Sequence, residues 1–157
     1  MDRSRKENKM KAVVIEKPGT MVLKEMPVPQ TPRGFVRVKV KAAAICATDL
    51  EVLDGNIAAK YPLIPGHEWS GIVEELGEGV EGKWLGQRVT GSNDVVCLTC
   101  PACRNGEWRY CKSFKEIGFK MDGAYAEYVV VPAYGLCQLP EQISFAQAAL
   151  AEPLGVA

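Results

Sequence analysis

Four cysteines lie within one short stretch of this 157-residue chain: Cys97, Cys100, Cys103 and Cys111, in CLTCPACRNGEWRYC. The spacing, C-x2-C-x2-C-x7-C, allows four thiolates to surround one tetrahedral Zn²⁺. A four-thiolate site has no open coordination position, so its zinc would be structural and would not activate water. We therefore expect a structural zinc lobe at about residues 95–113.

Two disulfides and an iron–sulfur cluster are the other interpretations of these cysteines. Disulfides need an oxidising compartment, and nothing in the sequence signals one. Ferredoxins also use C-x2-C-x2-C runs, but those continue as C-x3-C-P, and this run does not. Zinc is the favoured interpretation because closed four-cysteine sites usually hold zinc. The sixth cysteine, Cys137, is expected to be a buried or partly exposed free thiol at a strand end.

The charge balance and the N-terminus argue against several classes of protein. Lys plus Arg and Asp plus Glu number 19 each, so charge gives no case for binding nucleic acid or an anionic membrane. No run of eighteen apolar residues predicts a membrane span. The first residues, MDRSRKENK, are charged and lack the apolar region of a signal peptide. We expect a cytoplasmic protein with a disordered tail at residues 1–9 and one domain at residues 10–157.

Short β-strands separated by Gly and Pro are predicted along most of the chain. Residues 35–43, FVRVKVKAA, alternate apolar and basic residues, as a half-buried strand does. Further strands are predicted at residues 11–16, 21–26, 71–76, 87–90 and 124–131. Several short strands at this spacing predict a barrel or a sandwich, so the fold class is mainly β with a few short helices.

Two short helices are predicted. DLEVL follows Thr48 and Asp49, which are both good N-cap residue types. ISFAQAALAE contains Ser144 with Gln147 three residues later, which is a capping box. Pro153 is expected to end or kink this second helix.

Residues 77–82, GEGVEG, match the letters of the dinucleotide-binding pattern G-x-G-x-x-G. That pattern requires a helix after the glycines, whose N-terminus holds the pyrophosphate. The residues that follow, KWLGQRV, indicate a loop leading into a strand, and Glu78 and Glu81 would repel a phosphate. We interpret the segment as a glycine turn between strands.

Residues of metal-ligand type also occur outside the four-cysteine stretch. Cys46 lies in AAAICATDL, and His67 and Glu68 follow a Pro-Gly break in YPLIPGHEWSG. His67 is the one histidine of the chain, and alone it would more often be a partly buried structural residue. Cys46 alone would more often be a small core residue. Their combination with the four-cysteine lobe favours a second metal site.

The string GHEWSGIVEELGEGV, with CATD upstream and the four-cysteine lobe downstream, resembles the zinc-containing medium-chain alcohol and polyol dehydrogenases. AEPLGVA resembles the EPL-type segment of the polyol and sugar branch. The resemblance runs from about residue 10 to residue 157, with the motifs in the family's order. It implies a catalytic domain with a GroES-like β-barrel and a zinc-binding lobe, without the family's Rossmann domain.

The same resemblance implies a catalytic zinc bound by Cys46 and His67. A carboxylate from Glu68 or Glu152 and a water or substrate oxygen would complete the shell. Three protein ligands with an exchangeable position are what a Lewis-acid zinc requires.

Two neighbouring residues match further members of the family's site. Thr48 matches the hydroxyl that relays a proton away, and Asp49 matches the acidic residue that orients the histidine ligand. Local sequence alone equally allows both residues to cap a helix.

The resemblance implies oxidation of a secondary alcohol in a polyol, sugar or related small molecule, with NAD or NADP as the hydride acceptor. The chain stops at Ala157, where the family would begin its cofactor domain, so we expect a fragment that is inactive alone. The full-length parent is expected to be a homo-oligomer. One alternative is a stand-alone zinc-stapled β-barrel that acts as a binding module. A zinc-ribbon nucleic-acid binder is another, and the neutral charge balance argues against it.

Overall fold

Alternating apolar and polar residues organise the chain into short antiparallel strands. The structure is a computed structural model that describes residues 9–156. The predicted tail at residues 1–9 lies outside these residues, except for Lys9, which begins the first strand.

The described residues form nine strands and four short helices. The strands are β1 Lys9–Lys17, β2 Thr20–Pro27, β3 Phe35–Ala43, β4 Trp69–Leu76, β5 Arg88–Gly91, β6 Asp94–Val95, β7 Lys115–Glu116, β8 Tyr128–Pro132 and β9 Leu136–Gln138. The helices are α1 Ala47–Asp54, α2 Pro101–Arg104, α3 Phe145–Ala148 and α4 Ala151–Val156. Single 3₁₀ turns lie at Gly82–Trp84, Trp108–Tyr110 and Ala133–Gly135.

The central element is a five-stranded antiparallel sheet with strand order β8-β3-β4-β5-β9. Strands β1 and β2 form a separate hairpin, and β6 pairs with β7. Isolated bridges join β1 to the rest of the fold, from Ala12 to Ala126 and from Ile15 to Leu63. The mainly β prediction is confirmed, although the sheet does not close on itself within the described residues.

The main core lies on one face of the five-stranded sheet. The alternation predicted for β3 places Val36 and Val38 fully inside, while Lys39 stays exposed. Burial of an aliphatic side chain of this size stabilises the fold by roughly 1.5–3 kcal/mol. The other buried members of this core are Trp69, Val73, Val89, Val95, Ile117, Ala124, Val129 and Val131.

Helix α1 begins at Ala47, two residues earlier than it would with Thr48 as its N-cap. Cys46 is the N-cap, so Thr48 lies inside the first turn and does not cap the helix. The carboxylate of Asp49 reaches back and accepts a 3.0 Å hydrogen bond from the Cys46 N–H. Gly55, with φ of 81°, ends the helix in the left-handed conformation that favours glycine.

The predicted capping box at the C-terminal helix is confirmed. The Gln147 N–H donates to Ser144 Oγ at 3.2 Å, and the Ser144 N–H donates to Gln147 Oε1 at 2.9 Å. The expectation that Pro153 ends or kinks this helix is wrong in position. The helix breaks upstream, at residues 149–150, and α4 continues through Pro153 to Val156. Pro153 then occupies the first turn of α4, where a helix needs no N–H donor.

Across residues 9–156, the helices all fall short of the length and apolar content that a membrane crossing requires.

The GEGVEG segment is the glycine turn expected from its sequence. Gly77 follows β4 directly, and the 3₁₀ turn Gly82–Trp84 leads to β5, so no α-helix lies between these two strands. Packing explains Gly77, because a Cβ there would lie 1.9 Å from the Pro32 carbonyl oxygen. A Cβ at Gly82 would meet nothing within 4 Å.

Gly77 and Gly82 therefore differ in a testable way. Gly77→Ala should lower the free energy of unfolding by roughly 2 kcal/mol or more, because a backbone carbonyl must move to make room. Gly82→Ala is the matched control and should change it by less than about 0.5 kcal/mol. Urea unfolding of both variants checks this, and equal effects would contradict the packing explanation.

Two candidate metal centres

Cys46, His67 and Glu68 form the first cluster of metal-ligand residues. One potential ligand atom from each lies within 4.8 Å of the others. His67 and Glu68 are buried, and Cys46 is partly exposed. Sulfur, imidazole and carboxylate donors held this close are a donor set that Zn²⁺ accepts.

Pairing of β3 with β4 brings this cluster together. The two strands are antiparallel, and Ala43 lies opposite Trp69. The pairing continues one step beyond the strands, where the Ala44 N–H donates to the Glu68 carbonyl at 2.9 Å. Cys46 therefore leaves the end of β3 beside the point where His67 and Glu68 enter β4.

The Pro-Gly break before His67 has a steric requirement for glycine. Gly66 has φ of 96°, and a Cβ there would lie 2.4 Å from a ring carbon of Tyr125. A neighbouring segment of the same chain holds this turn in place. The Gly123 N–H donates to the Ile64 carbonyl oxygen at 2.7 Å, and Asp122 Oδ1 accepts from the Ile64 N–H at 3.0 Å. The ring packed on Gly66 and these bonds fix the direction in which His67 leaves the turn.

Asp49 is a buried carboxylate behind the cluster. Its Oδ1 lies 3.4 Å from His67 Nδ1, and its Oδ2 accepts a 2.6 Å hydrogen bond from the Tyr125 hydroxyl. The distance to Nδ1 is longer than a well-formed N–H···O bond, and Nδ1 has no hydrogen-bond partner among the described residues. Because Nδ1 faces Asp49, Nε2 is the nitrogen left for a metal.

The pKa values in this network follow from burial and from these contacts. Burial lowers the pKa of His67, but the contacts with Asp49 and Cys46 outweigh burial and raise it to about 9. Burial raises the pKa of Asp49. The contacts with His67, Tyr125 and the Cys46 N–H lower this pKa by more than burial raises it, so the net shift is downward. Burial and the Asp49 carboxylate raise the pKa of Tyr125, so its hydroxyl stays protonated. A metal at His67 must displace the imidazole proton.

Two further residues border the cluster. Thr48 Oγ1 lies 3.2 Å from Cys46 Sγ, so its hydroxyl is at the edge of the donor set. The Phe119 ring lies 5.1 Å from the His67 ring, with 43° between the planes. Phe119, Gly66 and Tyr125 are site residues that sequence reasoning missed.

Glu152 is not brought into this group. It lies in α4 and, together with Cys137 and Glu116, lines a separate cavity of about 500 Å³. Cys137 on strand β9 is a free thiol, as expected, but it is exposed and not buried or partly exposed.

The second cluster is the predicted four-cysteine lobe. The ligand sulfurs of Cys97, Cys100, Cys103 and Cys111 all lie within 4.8 Å of one another. Cys97 Sγ is 4.0 Å from Cys103 Sγ and 3.6 Å from Cys111 Sγ. A tetrahedron with Zn–S bonds of about 2.3 Å has sulfur–sulfur edges of about 3.8 Å. The sulfurs therefore fit around one zinc, and they are too far apart for disulfide bonds.

Short turns between β6 and β7 shape this lobe. Pro101 starts α2, where its missing N–H needs no partner. The backbone N–H groups of Cys97 and Cys100 point at the sulfurs of Cys111 and Cys97, each at 3.4 Å. Hydrogen bonds from Thr99 and Cys100 lower the pKa of Cys97 to about 5, while burial raises that of Cys103 to about 12. Four thiolates at this distance require a cation to offset their mutual repulsion.

Residues 32–141 match the alcohol dehydrogenase GroES-like domain family. An L-threonine 3-dehydrogenase from Pyrococcus horikoshii is 43% identical over 152 residues, which cover 94% of this chain and 44% of that protein. The chain thus spans less than half the length of the curated relatives that it matches.

Solved structures give the same result. An alcohol dehydrogenase (rspB) from Escherichia coli CFT073, in complex with the cofactor NADH, superposes with a TM-score of 0.88 and 37% identity over 95% of this chain and 44% of that one. A cobalt- and zinc-bound thermostable alcohol dehydrogenase from Pyrobaculum aerophilum superposes with a TM-score of 0.82 and 34% sequence identity, over 91% of this chain and 44% of that one. The fold of this chain is therefore the fold of the matched part of these dehydrogenases. This chain belongs to the alcohol dehydrogenase GroES-like domain family.

The lobe should lose its zinc when one of its four sulfurs is removed. Cys100→Ser should lower the zinc content by one ion per chain and expose the amides of residues 97–111 to hydrogen exchange, while β3 stays protected because it has its own apolar core. Cys137→Ser is the control and should leave zinc unchanged. Metal-replete protein with no zinc and four reactive thiols in the lobe would contradict this prediction.

Placement of the two glutamates yields a second prediction. Glu68→Gln should weaken zinc binding at the Cys46 cluster roughly tenfold or more, because a charged donor is lost. Glu152→Gln should leave zinc binding by this chain unchanged. Chelator competition measures both, and a larger loss in Glu152→Gln would show that Glu152 is the ligand.

Proposed function

We propose that this chain is the zinc-binding catalytic domain of an NAD(P)-dependent dehydrogenase that oxidises a secondary alcohol in a polyol, sugar or related small molecule. The observation that supports this most is the Cys46–His67–Glu68 cluster, which within residues 9–156 offers three protein donors and not four. Three donors leave one coordination position for a substrate oxygen, whereas the four-cysteine lobe leaves none.

Charge also distinguishes the two centres. A Cys46 thiolate and a Glu68 carboxylate supply two negative charges, which match one Zn²⁺ when His67 is neutral. The four thiolates of the lobe exceed the charge of zinc by two, which suits a structural site. When bound, zinc supplies a Lewis acid that lowers the pKa of a coordinated alcohol.

The chain's own residues would divide the remaining work. The Asp49 carboxylate, 3.4 Å from His67 Nδ1, would orient the His67 ring, and the buried turn at Gly66 limits the movement of that ring. The Thr48 hydroxyl, 3.2 Å from Cys46 Sγ and partly exposed, can accept a proton from the substrate hydroxyl and pass it to solvent. This position supports the relay role over the capping role, because Cys46 occupies the N-cap.

NAD or NADP would accept the hydride. We propose that its site lies in the portion of the parent protein that this chain does not cover, since the relatives are more than twice as long. The GEGVEG segment gives no support for a cofactor site here, because its glycines lead into a 3₁₀ turn.

The proposed substrate class is supported from two sides. The third carbon of L-threonine, at which the Pyrococcus horikoshii relative is named to act, bears a secondary hydroxyl. The AEPLGVA segment resembles the polyol and sugar branch. We further propose that the parent is a cytoplasmic homo-oligomer. A stand-alone binding module would leave the buried Cys46 cluster without a role.

Substitutions in the full-length parent test the proposed chemistry. Cys46→Ser should remove most dehydrogenase activity, because it loosens or empties the site. Thr48→Ala should keep the zinc and slow turnover by about 10²–10⁴-fold, which is the usual contribution of a proton relay. Thr48→Ser retains the hydroxyl and should be nearly silent. NAD(P)H formation from polyols and sugars, with zinc analysis of each variant, provides the measurement.

Full turnover by Thr48→Ala across the pH range would remove Thr48 from the mechanism. Wild-type activity in a Cys46→Ser protein that lacks the second zinc would refute the proposed function as a whole.

A further inference from the structure

Tyr125 connects the two chain segments that supply the proposed zinc ligands. It lies just before β8, in a segment bound to the turn that precedes His67. The Ala124 N–H donates to Gly66 O at 2.8 Å, and the Tyr125 N–H donates to Pro65 O at 3.0 Å. The backbone of Tyr125 is therefore fixed relative to the His67 turn.

The side chain of Tyr125 then crosses to the Cys46 side of the cluster. Its ring packs on Gly66, and its hydroxyl lies 2.6 Å from Asp49 Oδ2 and 2.9 Å from the Ala44 carbonyl oxygen. A hydroxyl has one proton, and the shorter contact is in the range of a charge-assisted O–H···O⁻ bond. The hydroxyl thus donates chiefly to Asp49.

The two oxygens of Asp49 face different partners. Oδ1 faces His67 Nδ1 and accepts from the Gly66 N–H at 3.3 Å. Oδ2 accepts from the Cys46 N–H and from the Tyr125 hydroxyl. Without the hydroxyl, only the Cys46 and Gly66 N–H groups still donate to the carboxylate, so its tilt is less restrained. Any tilt moves Oδ1 relative to His67 Nδ1, because both oxygens belong to one rigid group.

We propose that Tyr125 is a positioning residue of this metal centre: its hydroxyl fixes the tilt of the Asp49 carboxylate and, through it, the orientation of the His67 ring. The inference rests on the proposed function, since it assumes that Cys46, His67 and Glu68 bind zinc. It adds a residue 76 positions from Asp49 in sequence.

Tyr125→Phe is the direct test, since it removes the hydroxyl and keeps the ring that packs on Gly66. Tyr61→Phe is the matched control. The Tyr61 hydroxyl also bonds to α1, but it does so at the Val52 carbonyl oxygen and not at the Asp49 carboxylate. The zinc affinity of each variant of this chain is measured by chelator competition. The Cys46→Ser variant identifies which of the bound zinc ions belongs to the Cys46 cluster. Co²⁺ replaces zinc in a parallel series, because its visible absorption reports ligand geometry.

We expect Tyr125→Phe to weaken zinc binding at the Cys46 cluster about tenfold, at the lower end of what outer partners of a ligand contribute. Its Co²⁺ spectrum should shift, and the four-cysteine lobe should keep its zinc. Tyr61→Phe should change zinc affinity by less than about twofold, with an unshifted Co²⁺ spectrum.

A double variant tests whether Tyr125 acts through Asp49. In an Asp49→Asn background, Tyr125→Phe should weaken binding by less than about twofold more, because the group that it positions is already altered. A further full tenfold loss would show an independent effect and overturn the proposal.

Three other outcomes would also overturn it. Zinc affinity within twofold of wild type in Tyr125→Phe would show that the hydroxyl has no positioning role. Equal losses in Tyr125→Phe and Tyr61→Phe would assign the effect to support of α1, and loss of zinc from both centres would make Tyr125 a folding residue. If Cys46→Ser instead binds as many zinc ions as wild type, the proposed function fails first.

Discussion

The antiparallel pairing of β3 with β4 is the constraint on which the rest of the structure depends. These strands are the second and third of the five-stranded sheet, and their inward valines form much of its core. The same register places the end of β3 beside the start of β4. Cys46 lies 21 positions before His67 in the sequence. The strand pairing therefore brings Cys46 close to His67 and Glu68, and no direct bond among the three is needed to do so. Core packing and assembly of the candidate site follow from one set of backbone hydrogen bonds.

The two candidate metal centres are built by opposite means. The four-cysteine lobe is local, since all its donors lie within fifteen residues and its own backbone N–H groups point at the sulfurs. The Cys46 cluster is assembled from separate segments and supported by a buried carboxylate. A local site can fold around its metal, whereas an assembled site needs the sheet first. The lobe therefore suits a structural role, and the cluster suits chemistry that requires a preformed pocket.

Alternating apolar and polar residues, and residue types that cap helices, made some strands and helix starts predictable from the sequence. The bounds of β3 match the predicted strand, and the capping box at Ser144 is present as expected. Short strands such as β6 and β7, with two residues each, carry too little pattern to be recognised. The helix break at residues 149–150 and the exposure of Cys137 were also missed, because packing around them, not local sequence, sets both.

The sequence by itself determined the mainly β class, the four-cysteine lobe and the ligand types of the second cluster. Each of these depends on residue spacing or residue chemistry, which can be read directly from the sequence. Tertiary structure decided that Glu68, and not Glu152, lies with Cys46 and His67, that Cys46 caps α1, and that Tyr125 reaches Asp49. Such contacts join segments that are distant in sequence, and only the register of the paired strands and the path of the turns bring them within bonding distance.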